Sequence, residues 1–107
     1  MSGSSGSGGG ASGPEVSCER LVINTMLASP RQDAVSRLYP GLILEVRLMG
    51  GSVVVFHDGN LVGGLASPLV HRLRTCIEEG TSYRAKVVSK NSALVRLQVA
   101  AASNFPL

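Results

Sequence analysis

The stretch Asp58-Gly59-Asn60-Leu61-Val62-Gly63-Gly64-Leu65-Ala66-Ser67-Pro68 decides the fold. Asp-Gly suits a two-residue hairpin turn, because both central positions of that turn take positive φ. Asn60 to Ala66 then reads as a strand. Gly63 and Gly64 within it mark a bulge, a sharp bend or close approach by another backbone. Ser67-Pro68 opens a helix, since serine caps the first amide groups and proline fits the first helical position. Leu69, Val70, Leu73, Cys76 and Ile77 recur at helical spacing, with His71, Arg72, Arg74, Thr75 and Glu78 on the opposite face. Gly80 ends the helix in a left-handed conformation.

Upstream, Val53 to His57 is a strand apolar enough to be covered on both faces. Gly50-Gly51 is a tight turn joining it to Leu42–Leu48, where Leu42, Leu44, Val46 and Leu48 point one way and Ile43, Glu45 and Arg47 the other. Tyr39-Pro40-Gly41 stops a short helix whose apolar face is Ala34, Val35 and Leu38. Ser29-Pro30-Arg31-Gln32 reads as its start, with Ser29 as cap. Glu19 to Leu27 supplies a first strand. Downstream, Ser82 to Ser89 and Ala93 to Ala100 are two strands joined through Lys90-Asn91-Ser92. Tyr83, Ala85, Val87, Val95, Leu97 and Val99 face inward, and Arg84, Lys86, Leu94, Arg96 and Gln98 face outward. Ala101 to Leu107 reads as frayed. The fold class is mainly β with two short helices (α+β), in the order β-α-β-β-β-α-β-β. So many strands joined by tight turns favour a small curled antiparallel sheet closing into a barrel.

Residues 1 to 14 are nearly all Gly, Ser and Ala and cannot bury enough surface to order themselves. They are expected to be a disordered tail or linker, leaving residues 15–107 as one domain. The 107 residues carry a net charge of +3, which permits an anionic partner without demanding one. No apolar run reaches the ~18 residues of a membrane span, and no charged-then-apolar leader is visible. A cytoplasmic protein is expected, or a nuclear one in a eukaryote, with no membrane partner. Cys18 and Cys76 are the only cysteines, without metal-site spacing. Cys76 is expected as a buried thiol, with neither a metal site nor a disulfide framework, and no cofactor is expected.

The second half resembles the HIRAN domain family through Gly59-Asn60-Leu61-Val62-Gly63-Gly64-Leu65, the following helix with Leu69 and Leu73, and Glu79-Gly80-Thr81-Ser82-Tyr83-Arg84-Ala85-Lys86-Val87-Val88-Ser89. The likeness spans about residues 20–100 and implies a small OB-like β-barrel of the kind found in DNA-repair translocases. Members of that kind look like binders of the 3′ end of single-stranded DNA, through an Arg-aromatic-aromatic segment and an Asn-Pro-Tyr-Asp segment. Here those regions read Thr25-Met26-Leu27-Ala28-Ser29 and Leu48-Met49-Gly50-Gly51-Ser52, so those contacts do not carry over.

Single-strand binders combine a basic groove with aromatic platforms. The outward residues Arg47, Arg84, Lys86 and Arg96 form the candidate nucleic-acid face, bordered by the first helix and by Tyr39, since Tyr83 and Phe56 are assigned to strand interiors and Phe105 to the frayed end. His57-Asp58 could serve as base and orienter, but no nucleophile motif accompanies it, and Asp58-Gly59 is explained by turn chemistry. The expected function is a non-enzymatic module binding single-stranded DNA. The alternative is a protein-interaction or self-associating module using the outward aliphatics Ile43, Val88 and Leu94.

Overall fold

The structure is a computed structural model that describes residues 16–105; the expected tail at 1–14 and the last two residues lie outside them. Six strands and two helices follow the expected order: β1 (Ile23–Ala28), α1 (Gln32–Val35), β2 (Ile43–Met49), β3 (Ser52–His57), β4 (Asn60–Leu65), α2 (Val70–Glu78), β5 (Tyr83–Asn91) and β6 (Leu94–Ala101). Every strand has two antiparallel neighbours. The order β1-β4-β3-β2-β5-β6 returns from β6 to β1, so the sheet closes on itself. The seam between β1 and β4 is short, joined at Leu27–Leu65 and Ala28–Gly64. The interior is filled by the alternating residues the sequence pattern selects, among them Leu44, Val53, Val55, Val62, Val87, Leu97 and Val99. Val54, between two core valines, is also buried but lies outside the core cluster, so β3 is covered on both faces.

The glycine pair is explained by a close approach and a bulge. Val55 pairs with Gly63 while Phe56 pairs with Leu61, leaving Val62 as the extra residue on β4. Its carbonyl accepts the amide of Arg31 at 2.8 Å, which ties the entry of α1 to β4. At Gly63 an added Cβ would lie 2.8 Å from both the Ala28 carbonyl oxygen and Leu27 Cδ1, so only glycine lets β1 cross there undisturbed. Asp58 and Gly59 both have positive φ, as the hairpin turn requires. α2 begins two residues later than Ser67-Pro68 implies: Leu69 holds its cap position without a side-chain cap bond, and Ser67 Oγ accepts the Leu69 amide at 3.1 Å in the turn before it. At its foot Gly80 has φ +108°, with Gly80 N–H bonded to Ile77 O and Thr81 N–H to Cys76 O. That paired arrangement satisfies two otherwise orphaned helix carbonyls.

Four further local expectations are corrected. Residues 18–20 form a 3₁₀ turn, and the first strand begins only at Ile23. Ser29 does not cap α1. It turns the chain at φ +47°, and Arg31 occupies the cap position. Ala101 is buried in β6 and residues 102–104 form a 3₁₀ turn, so this end is ordered where fraying was expected. Arg84 secures it, its Nη1 donating to the carbonyls of Ala102 at 3.3 Å and Phe105 at 2.8 Å.

The fourth concerns the cysteines. Cys18 and Cys76 form a disulfide, with their Cα atoms 5.6 Å apart. The segment before β1 runs back across α2, and this approach is invisible in a sequence separation of 58 residues. A bridge closing a loop of that size stabilises by about 4 kcal/mol in the chain-entropy account.

Candidate nucleic-acid interface

Antiparallel registry places the outward side chains in rows. Phe56, Glu45, Arg84 and Ala100 are successive partners across β3, β2, β5 and β6. Ile43, Lys86, Gln98 and Asn24 form the next row, and Ser89, Arg96 and Met26 the one after. Arg84, Lys86 and Arg96 therefore follow one diagonal across β5 and β6. Along β6, from Ala100 beside Arg84 to Arg96, four residues at about 3.4 Å each make the line about 14 Å long. Lys86 and Arg96 are exposed. Neither β5 nor β6 contains an acidic residue.

Arg47 stands apart from that line, on the far side of Glu45. Its Nη2 donates to Glu45 Oε1 at 2.8 Å, and its guanidinium lies 4.5 Å from the centroid of the Phe56 ring. The bond from Arg47 is the main cause holding the Glu45 carboxyl below its ordinary range, against a small opposing effect of desolvation. The charge of Arg84 acts in the same direction. The same bond holds the Arg47 guanidinium above its ordinary value. Arg47 is thus locally neutralised, and Arg84 is engaged by two backbone carbonyls. Of the four basic residues singled out in the sequence, Lys86 and Arg96 keep their charges free of any side-chain partner among the described residues.

Tyr39 is 58% exposed. The corner that carries it is tied to β5 by Gly41 N–H to Val87 O at 2.7 Å and Val87 N–H to Leu42 O at 2.8 Å. It therefore borders the middle of the basic line, beside Lys86. At the opposite border lies Phe56, which sequence reading had placed in a strand interior. The alternation that turns Val53 and Val55 inward also turns Phe56 outward, and the uniformly apolar run concealed that signal. Phe56 lines an open cleft of about 880 Å³ together with Ile43, Glu45, Asp58, Thr81 and Arg84.

A second basic contribution comes from Lys90. β5 gains one residue at Val88, so that Val87 faces Leu97 while Ser89 faces Arg96. Beyond this bulge Lys90 faces the core residue Val95, and its Nζ donates to Leu38 O at 3.2 Å. A bulge of this kind leaves no mark in the residue pattern. His57 Nε2 and Asp58 Oδ2 are 3.9 Å apart at the turn. Among the described residues no cluster of three His, Cys, Asp or Glu suited to a metal ion occurs, and no helix is long and apolar enough to cross a membrane. Comparison with protein-family models, with curated proteins and with solved structures finds no match to this chain.

Proposed function

We propose that this domain is an OB-like, HIRAN-type binding module that takes single-stranded nucleic acid, DNA in the first instance, on the outer face of β5 and β6. The observation that carries this reading is the acid-free hairpin on which Arg84, Lys86 and Arg96 follow one outward diagonal. Its length suits a few nucleotides, the lower end of the ~4–16 that OB folds occupy. Tyr39 and Phe56 stand at the two borders as stacking surfaces, each stack contributing about 1–3 kcal/mol. With so few aromatics, affinity comes mainly from phosphate contacts and falls steeply with salt.

Fluorescence anisotropy with labelled oligo-dT tests the reading. Binding should be micromolar or tighter at low salt, with log K falling by about 0.7 per decade of salt for each phosphate neutralised. A Lys86→Glu/Arg96→Glu variant should bind at least about tenfold more weakly and with a shallower salt slope. Arg84 is left in place because it also holds the C-terminal turn. Binding no tighter than that of a neutral control protein at low salt refutes the proposal.

Exposed aliphatics favour a second reading, a self-associating or protein-binding module. Val88 is 46% and Leu94 63% exposed, and Met26 is the cross-strand partner of Arg96 beside them. Ile43 is half-buried and lines the cleft instead. Light scattering should show a concentration-dependent mass that Leu94→Asp abolishes; a monomer at every concentration refutes self-association.

A further inference from the structure

We propose that the Cys18–Cys76 disulfide is a redox-sensitive latch that holds the strap of residues 16–22 against α2 and β5, and that its reduction opens the strap while the barrel stays closed. The two sulfurs differ in access: Cys76 is fully buried in the core, whereas Cys18 is half-exposed on the strap. An external thiolate therefore attacks Sγ of Cys18. Cys76 departs as a thiolate and takes up a proton. The second thiol of a dithiol reductant then releases Cys18 and leaves as the reductant's own disulfide. Two electrons and two protons pass to the protein, and two thiols form from one S–S bond. Glu79 Oε1 lies 3.9 Å from Cys18 Sγ, so a reductant carrying further negative charge is repelled more than one whose only charge is the attacking thiolate.

The strap has few other attachments. Tyr83 OH donates to Cys18 O at 2.6 Å, Arg72 Nη2 donates to Val16 O at 2.6 Å, and Asn104 Nδ2 donates to Glu19 O at 3.4 Å. Leu21 is its one residue in the hydrophobic core besides the half-buried Cys18 packed against it. Ser17, Glu19, Arg20 and Val22 are exposed. The strap contributes no rung to the sheet, because pairing of β1 with β6 begins at Ile23. Losing the strap therefore breaks no strand pairing, whereas Cys76 stays anchored in α2 among fully buried residues such as Leu73. One side of the latch is weakly held and the other is part of the core, the asymmetry that local opening requires. Opening uncovers Cys76 and the edge of Tyr83, and frees the guanidinium of Arg72.

The test is hydrogen exchange by mass spectrometry on the full chain, oxidised and after reduction with neutral dithiothreitol. Circular dichroism follows the fold as a whole. The proposal expects residues 18–22 to exchange at least tenfold faster on reduction, close to the rate of an unfolded chain, while β2, β3 and β5 stay protected, with only the shift that loss of the cross-link imposes on global stability, and the spectrum is unchanged. A Cys18→Ser/Cys76→Ala variant should reproduce the fast-exchanging strap without reductant. Unchanged exchange in the strap overturns the latch. Loss of protection throughout the strands, or a double variant that does not fold, overturns it equally, because the bond would then be a staple for the whole domain.

Discussion

Gly63 and Gly64 are neighbours in one strand, yet the structure assigns opposite outcomes to replacing each with alanine. A Cβ at Gly63 would sit 2.8 Å from the Ala28 carbonyl oxygen and 2.8 Å from Leu27 Cδ1. The leucine methyl can turn aside only within a packed core. The carbonyl belongs to β1, whose Leu27 and Ala28 are held by pairing with Leu65 and Gly64. To restore even a tight contact of 3.4 Å the strand must retreat by about 0.6 Å, the difference between those two distances. Overpacking of this kind costs about 1–3 kcal/mol. Alanine recovers about 0.4–1 kcal/mol by restricting the unfolded chain. The net loss is about 1–2 kcal/mol, which for a domain of this size lowers the melting temperature by about 5–15 °C. At Gly64 the nearest atom to an added Cβ is Val53 O at 3.7 Å, an ordinary contact. Gly64→Ala therefore keeps the entropic gain, and its melting temperature should stay level or rise by a few degrees. Thermal melts of the two oxidised variants, followed by circular dichroism, check this. Equal midpoints, or a lower midpoint for Gly64→Ala, would refute the close-approach account of Gly63.

Two further outcomes concern ionisable groups. Burial holds the Tyr83 hydroxyl above its ordinary value of 10.0, with the nearby Arg72 charge opposing and Glu19 adding to the rise. A raised folded-state value means that this stabilisation is complete below the unfolded value and is lost as pH rises through the folded one. Urea midpoints should accordingly fall on the alkaline side. Tyr83→Phe should lose about 1 kcal/mol at neutral pH with its bond to Cys18 O, and should show a shallower alkaline decline; an equally steep decline would remove this role for Tyr83. Glu45 has the opposite sign: its lowered value gives stabilisation above the unfolded value, lost as pH falls through the folded one. Exposure keeps that contribution small. Its larger consequence is for binding, since Glu45→Gln removes an acid from the face and releases Arg47. Oligo-dT binding should tighten by roughly two- to fivefold and the salt slope steepen by about 0.7, whereas unchanged binding would place Arg47 outside the interface.

Local chemistry made much of the fold legible from residues alone. Asp58-Gly59, Ser67-Pro68 and Gly80 announce turn, helix start and helix stop because each answers to a backbone requirement within a few residues. The alternation in β2, β5 and β6 sorts inward from outward side chains because one face of each must be apolar. The candidate face is read from the same period, and among the described residues Lys86 and Arg96 have no side-chain partner. The remainder depended on distant parts of the chain meeting. The disulfide joins residues whose neighbourhoods in sequence share no pattern. The glycine pair signalled the irregularity at Val62, whose carbonyl accepts the Arg31 amide, but nothing in the residue pattern marked the bulge at Val88 beyond which Lys90 reaches Leu38. Whether an outward arginine is available is likewise a tertiary matter, since a charge is spent or kept according to what lies beside it. Arg47 is met by Glu45 and Phe56, and Arg84 by two C-terminal carbonyls. The sequence by itself thus determined the elements, their order and their inward faces, which are set by short-range sterics and burial. Tertiary structure alone decided the cross-link, the register shift in β5 and which outward cations meet a partner, because those depend on contacts between residues far apart in the chain.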